Sequence, residues 1–160
     1  MPSSVLAIYI APSPGTSMQS VERVEARAGL GLVGDRYHAQ AGTFSSKPPP
    51  PGKAPKPRDV TLIEVEAIEA ATRDYGVALE PAETRRNILV RGAALNHLVG
   101  REFRVGQARL RGVELCEPCG HLEKLTRTGV RAALVHRGGL RCAVVADGGI
   151  AVGDGLVAEE

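Results

Sequence analysis

Tryptophan is absent from this 160-residue chain, and aromatic residues of all kinds make up only 3% of it. A stacking platform for single-stranded nucleic acid needs several exposed rings, so the composition counts against that function. A dominant charge is lacking too. The 20 basic and 18 acidic residues leave a net charge of +2, too even a balance for a dedicated nucleic-acid binder. Cysteine is scarce: Cys116, Cys119 and Cys142 cannot all pair within one chain. No apolar run approaches the ~20 residues that a membrane span requires. The start, MPSSVLAIYIAPSPG, has neither the charged region nor the long apolar segment of a signal peptide. The sequence therefore reads as a cytoplasmic protein with reduced thiols, associated with neither membrane nor nucleic acid.

What is present suits one ordinary domain over residues 1–160, since 43% hydrophobic and 24% charged residues can build a core without disulfide staples. Of the 20 basic residues, 16 are Arg and 4 are Lys. The planar fork of Arg suits phosphate and carboxylate, although a GC-rich genome also enriches it.

Val5–Ile10 reads as a buried first strand, and residues 20–26 as a second. The segment 45–57, SSKPPPPGKAPKP, holds six of the eleven prolines and predicts an extended surface loop, because proline offers no backbone donor. Asp59–Ile63 predicts a strand and Glu64–Tyr75 a helix stopped by Gly76, with Thr61-x-x-Glu64 fitting a capping box. Asn87–Arg91 predicts a strand, Ala94–Val99 a short helix, and Phe103–Leu115 one or two strands broken near Gly106. Leu122–Leu134 is compatible with helix. Leu140–Ala146 and Ala151–Val157 read as strands joined in a hairpin across Asp147-Gly148-Gly149. Short strands at regular spacing with two or three helices predict a β-rich α+β domain, and a barrel is its natural closure. The parallel βαβ alternation of a nucleotide-binding sheet is missing.

Three segments carry chemistry. Cys116-Glu117-Pro118-Cys119-Gly120-His121 offers a soft ligand or a nucleophile, with Cys119 near a helix start whose dipole favours a thiolate. A structural zinc site built on Cys116, Cys119 and His121 lacks a fourth ligand nearby. The role of Cys116 stays open, and Cys142 sits in an apolar strand as expected of a core residue. Arg85-Arg86-Asn87 is the second segment. Adjacent cations there answer to neither helix nor strand periodicity, so an anion such as phosphate accounts for them. The other arginines between Arg85 and Arg111 read as solvated faces or as partners of the acidic stretch Arg58–Thr84. The third segment, Gly34-Asp35-Arg36-Tyr37-His38, puts Arg36 and His38 on a loop, as does His136-Arg137-Gly138-Gly139. His97 reads as structural or exposed.

Taken in order, GDRYH, RDVTLIEVEAIE, TRRNILVRG, LVGREFRVGQARLRGVELCEPC, HRGGL and IAVGDGL resemble the MOSC domain, named for the C-terminal part of molybdenum-cofactor sulfurases. The similarity runs from about Gly31 to Gly155 and leaves out the Pro-rich loop. The resemblance implies a β-barrel-like α+β fold with a few peripheral helices. It also implies binding of the molybdenum cofactor, a phosphate-bearing pterin with a dithiolene-held metal. In that reading Cys119 ligates the metal or carries sulfur as a persulfide, Arg85 and Asn87 contact the cofactor beside Arg86, and Arg36 and His38 match a loop pattern. Three functions follow. One is a molybdenum protein reducing N-hydroxylated substrates. A second is a persulfide carrier delivering sulfur to a metal–sulfur cofactor. The third is a non-enzymatic, zinc-stabilised binding module. No pyridoxal phosphate is expected on this chain, so a cysteine desulfurase or an electron-transfer protein is expected to act in trans.

Overall fold

Strand β6, Ile88–Arg91, begins with three consecutive buried aliphatic residues, which requires cover on both of its faces. The fold supplies that cover. The computed structural model describes residues 3–38, 51–52 and 56–159 of the chain. Along the chain run β1 (Ser4–Ile10), β2 (Gln19–Val21), β3 (Arg23–Arg27), β4 (Gly31–Leu32) and β5 (Val60–Glu64). Then come helix α1 (Val65–Tyr75), a 3-10 turn (Pro81–Thr84), β6, a second 3-10 turn (Leu95–Leu98), β7 (Glu102–Val105) and β8 (Ala108–Leu115). The short helices α2 (Gly120–Leu125) and α3 (Val130–Ala133) precede β9 (Leu140–Ala146), β10 (Gly148–Ala151) and β11 (Leu156–Ala158). This is the β-rich α+β fold that the spacing of strands predicts. The Pro-rich segment 45–57 lies outside the described residues except at 51–52 and 56–57.

Eight strands form one sheet in the order β11-β7-β8-β9-β5-β6-β1-β2, and β10-β3-β4 form a second. Side chains alternate along each strand, so neighbours enter different cores. Leu62, Ile88 and Val90 join the larger apolar cluster, which fills the space between the two sheets and includes Phe103 and Leu110. Ile63 and Leu89 face the other way, into a smaller cluster with Ile68 and Ala71 of α1, Leu122 of α2 and Val130 of α3. Among the described residues, no helix is long and apolar enough to cross a membrane.

Four expectations need correction. The large sheet is not closed into a barrel: β11 and β2 are its edges, and a single bridge, Ser4 with Gly155, ties β1 to the chain just before β11. The hairpin across Asp147-Gly148-Gly149 does not form. Asp147 accepts hydrogen bonds from the Ala28 N–H (2.6 Å) and from Arg27, and this turns the chain across the gap so that β10 pairs with β3. The capping box at Thr61 is not made either, because Thr61 lies in β5 and its hydroxyl is used by Asn87, leaving α1 to start at Val65 after Glu64, with no side-chain cap. Finally, β5 and β6 are parallel, joined through α1, so the fold contains one βαβ crossover. The predicted stop is confirmed: Gly76 takes the left-handed conformation (φ 65°) and its N–H caps α1.

Candidate functional site

At the N-terminal ends of the parallel pair β5 and β6, the chain offers donors rather than acceptors. A cleft of about 570 Å³, counting the part open to solvent, is lined there by Arg36, Arg58, Arg85, Arg86 and Arg141. Cys116 and Cys119 share that lining with Thr61 and Tyr37, and Leu122 and Leu125 of α2 form its apolar side. No carboxylate belongs to the lining, although Asp35 and Glu114 pair with Arg36 and Arg141 from behind it, so the cleft presents a cationic wall.

Each side chain arrives by a distinct local device. Arg85 follows the 3-10 turn Pro81–Thr84 and sits in the left-handed region (φ 65°), a conformation uncommon for any residue but glycine. Its guanidinium donates to the Thr16 carbonyl. Burial, and then the nearby Arg36 charge, lowers the Arg85 pKa from its ordinary value, against the opposing pull of Asp35 and Tyr37. Arg86 is held from two sides, donating through Nε to the Gly138 carbonyl (2.7 Å) and through Nη2 to the Cys116 carbonyl (2.9 Å). It thereby fastens the CEPC segment to the loop before β9. Gly138 is needed at that junction, since a Cβ there would stand 2.5 Å from the Cys116 carbonyl oxygen.

Arg36 is buried beside Asp35, with side chains 7% and 0% exposed and Nη1 3.2 Å from Oδ1. Asp35 also accepts from the Ala11 and Tyr37 N–H groups, which fixes the turn that presents Arg36. Arg141 on β9 pairs with Glu114 (3.0 Å) and reaches the Cys116 sulfur (3.8 Å). Cys116 is buried at the end of β8, whereas Cys119 is half-buried as the residue preceding α2 and packs on the smaller cluster. Cys142 lies in the larger core, where burial raises its thiol pKa far above the ordinary value.

The structure thus brings Arg36, Arg85, Arg86 and Cys119 into one cleft. Asn87 is not in the lining. Its Oδ1 accepts from the N–H and hydroxyl of Thr61, and its Nδ2 donates to the Tyr9 carbonyl, so its amide joins β5, β6 and β1. His38 is half-buried and also outside the lining. Among the described residues, no group of three His, Cys, Asp or Glu side chains is placed to cage a metal ion; the side chain of His121 falls outside the description. His136 is exposed, in the left-handed region, with Glu117 beside its ring at 3.2 Å. Sequence reasoning missed Arg58, Arg141 and Thr61. The available signal was strand alternation: Arg141 stands between Leu140 and Cys142, both core residues, and so must point to the other face.

A strand-rich α+β protein with an arginine-walled, thiol-bearing cleft is the class that fold and site define together. The chain belongs to the MOSC domain family, whose profile matches residues 52–157. The GDRYH segment precedes the matched residues. No curated protein sequence matches the chain. Among solved structures it is similar to the YuaD protein of Bacillus subtilis, at 18% identity over 100% of this chain and 97% of that one, with a TM-score of 0.79. It is also similar to YiiM of Escherichia coli (18% identity, 100% and 70% coverage, TM-score 0.69). YiiM of Geobacillus stearothermophilus gives 15% identity, 99% and 76% coverage and a TM-score of 0.69. At these identities the likeness is one of fold.

Proposed function

We propose that this MOSC protein binds the molybdenum cofactor in the arginine-walled cleft, with the Cys119 sulfur as the protein ligand to the metal. The observation that carries the reading is the lining itself: five guanidinium groups, a half-buried free thiol and no carboxylate. The donor set fits the group. A terminal phosphate and a polar pterin call for charge-assisted N–H donors, and molybdenum is soft enough to take a thiolate. The fit is sharpened by Arg36, whose buried Nε has no hydrogen-bond partner among the described residues.

When bound, the cofactor supplies a redox-active metal held by dithiolene sulfur. The chain's own residues do the rest. Arg85 and Arg36 hold the anionic end of the guest. Arg86 and Gly138 position the CEPC segment, so that Cys119 is offered at the start of α2. Leu122 and Leu125 present the apolar side of the cleft beside the sulfur. Reduction of N-hydroxylated substrates, with electrons supplied by a separate protein, is the reaction we infer for such a cofactor site.

The test is elemental analysis and pterin fluorescence on protein made in a host that synthesises the cofactor. Stoichiometric molybdenum is expected in the wild type, with about ten-fold less in Cys119→Ser. Protein without molybdenum or pterin overturns the reading. A persulfide carrier is the second reading, favoured by the placement of both Cys116 and Cys119 in the same cleft. It is marked by a gain of one sulfur mass on Cys119 after incubation with a cysteine desulfurase and cysteine, without metal.

A further inference from the structure

The turn between β1 and β2 (residues 11–18) reaches into the cationic end of the cleft and takes up donors that a guest would need. Its base is fixed. The Ala11 N–H donates to Asp35, and the Arg36 N–H donates to the Ala11 carbonyl at 2.7 Å. Its tip is exposed and folds on itself, with the Thr16 hydroxyl donating to the Ser13 carbonyl. From that tip the Thr16 carbonyl accepts from Arg85, and the Met18 sulfur lies 3.6 Å from Nη1 of Arg36.

The partners are thus a carbonyl for the half-buried Arg85 and a thioether for the buried Arg36. A thioether is a weak acceptor, and the buried Nε–H of Arg36 has no acceptor among the described residues. The carboxylate of Asp35 is shared between Arg36 and two backbone N–H groups. Arg36 and Arg85 line the same cleft, where the Arg36 charge disfavours that of Arg85. Two like charges with incomplete hydrogen bonding form a site whose natural complement is an anion with several oxygens.

We propose that Arg36 and Arg85 form a subsite for a tetrahedral oxyanion of the phosphate-monoester class, and that the β1–β2 turn latches it, with the Thr16 carbonyl and the Met18 sulfur standing where the anion's oxygens go. Binding of the anion releases both contacts and frees the tip of the turn. This deepens the cofactor reading by assigning the end of the cleft that takes the phosphate, and it is testable without any metal.

The experiment titrates inorganic phosphate into the purified full chain, against potassium chloride at matched ionic strength. Calorimetry is expected to show saturable one-to-one binding, about ten-fold weaker in Arg85→Gln and unchanged in Arg73→Gln on the exposed end of α1. Equal affinity in the wild type and Arg85→Gln overturns the subsite. The latch has its own readout, because the chain has two methionines, Met1 and Met18. Peptide mass spectrometry after peroxide treatment is expected to show Met18 oxidised several-fold faster with saturating phosphate, while Met1 serves as the internal control. Phosphate binding with an unmoved Met18 rate overturns the latch. Protein that binds phosphate in this way but loads no molybdenum rejects the cofactor reading and keeps the subsite; molybdenum loading without phosphate binding does the reverse.

Discussion

The two apolar clusters of this protein do different work. The larger one is enclosed by strands from both sheets and buries Phe103, Leu62, Leu110, Leu140 and Ile150 completely. The smaller one lies on the other face of β5 and β6 and is covered by three short helices, of which α2 and α3 have 6 and 4 residues. Helices that short are held by packing rather than by their own hydrogen bonds. They leave the cleft open at their margin, with Leu125 still 43% exposed. A closed core carries the fold, and a thin, incomplete one borders the arginine-walled cleft.

The largest expected effect comes from breaking the enclosed side. Phe103→Ala leaves a cavity that strands on all sides cannot fill, and it is expected to cost about 3–5 kcal/mol in denaturant unfolding. Leu122→Ala, on the thin side, removes a residue 3% exposed but beside an open cleft. Partial collapse there is expected to limit the loss to about 2–3 kcal/mol. The same change is expected to speed thiol labelling of Cys119, which a purely global effect of equal size in the enclosed core does not do. If the two variants lose stability equally, the contrast between the clusters fails.

Asn87→Ala tests the strands that both clusters share. It strips the Thr61 N–H and the Tyr9 carbonyl of their side-chain partner, at an expected cost of about 2 kcal/mol by the same unfolding measurement. Its molybdenum content per folded molecule is expected to stay unchanged if Asn87 acts as a clamp between strands. A selective loss of metal makes it a cofactor contact.

The smallest effect is a pH dependence on the enclosed side. Asp59 is buried, and burial raises its pKa above the ordinary 3.8, against the opposing effects of the Val144 N–H and of Arg111. The folded chain therefore holds this proton to a higher pH than the unfolded chain. The stability so contributed is present below pH 3.8 and is lost as pH rises through the raised value. Asp59→Asn keeps an acceptor for Val144 and removes the titration. Its stability relative to wild type is expected to improve between pH 4 and neutrality, and a constant difference across that range refutes the buried charge.

Much of this was legible in the sequence, for identifiable reasons. The strands β1 and β5, the helix α1 and its stop at Gly76 follow from apolar periodicity and a left-handed glycine, both local signals. The break between β7 and β8 at Gly106 is of the same kind. The hairpin was misread because Asp147-Gly148-Gly149 has hairpin composition, while its pairing is decided by Ala28, far away in sequence. Arg85 and Arg86 stood out because adjacent cations fit no periodic face, and Cys119 because of its CxxC spacing near a helix start. Asn87 stood out equally, yet its amide is consumed by the strands around it.

The amino-acid order by itself determined the elements, the β-rich class and the presence of thiols and surplus guanidiniums, because those depend on residues a few positions apart. Only the tertiary structure decided that positions 36, 58, 85, 86, 119 and 141 converge while Asn87 and His38 stay out of the lining. Burial and hydrogen-bond satisfaction are set by which distant backbones meet. Here the N-terminal ends of a parallel strand pair meet the turn after β4 and the start of α2.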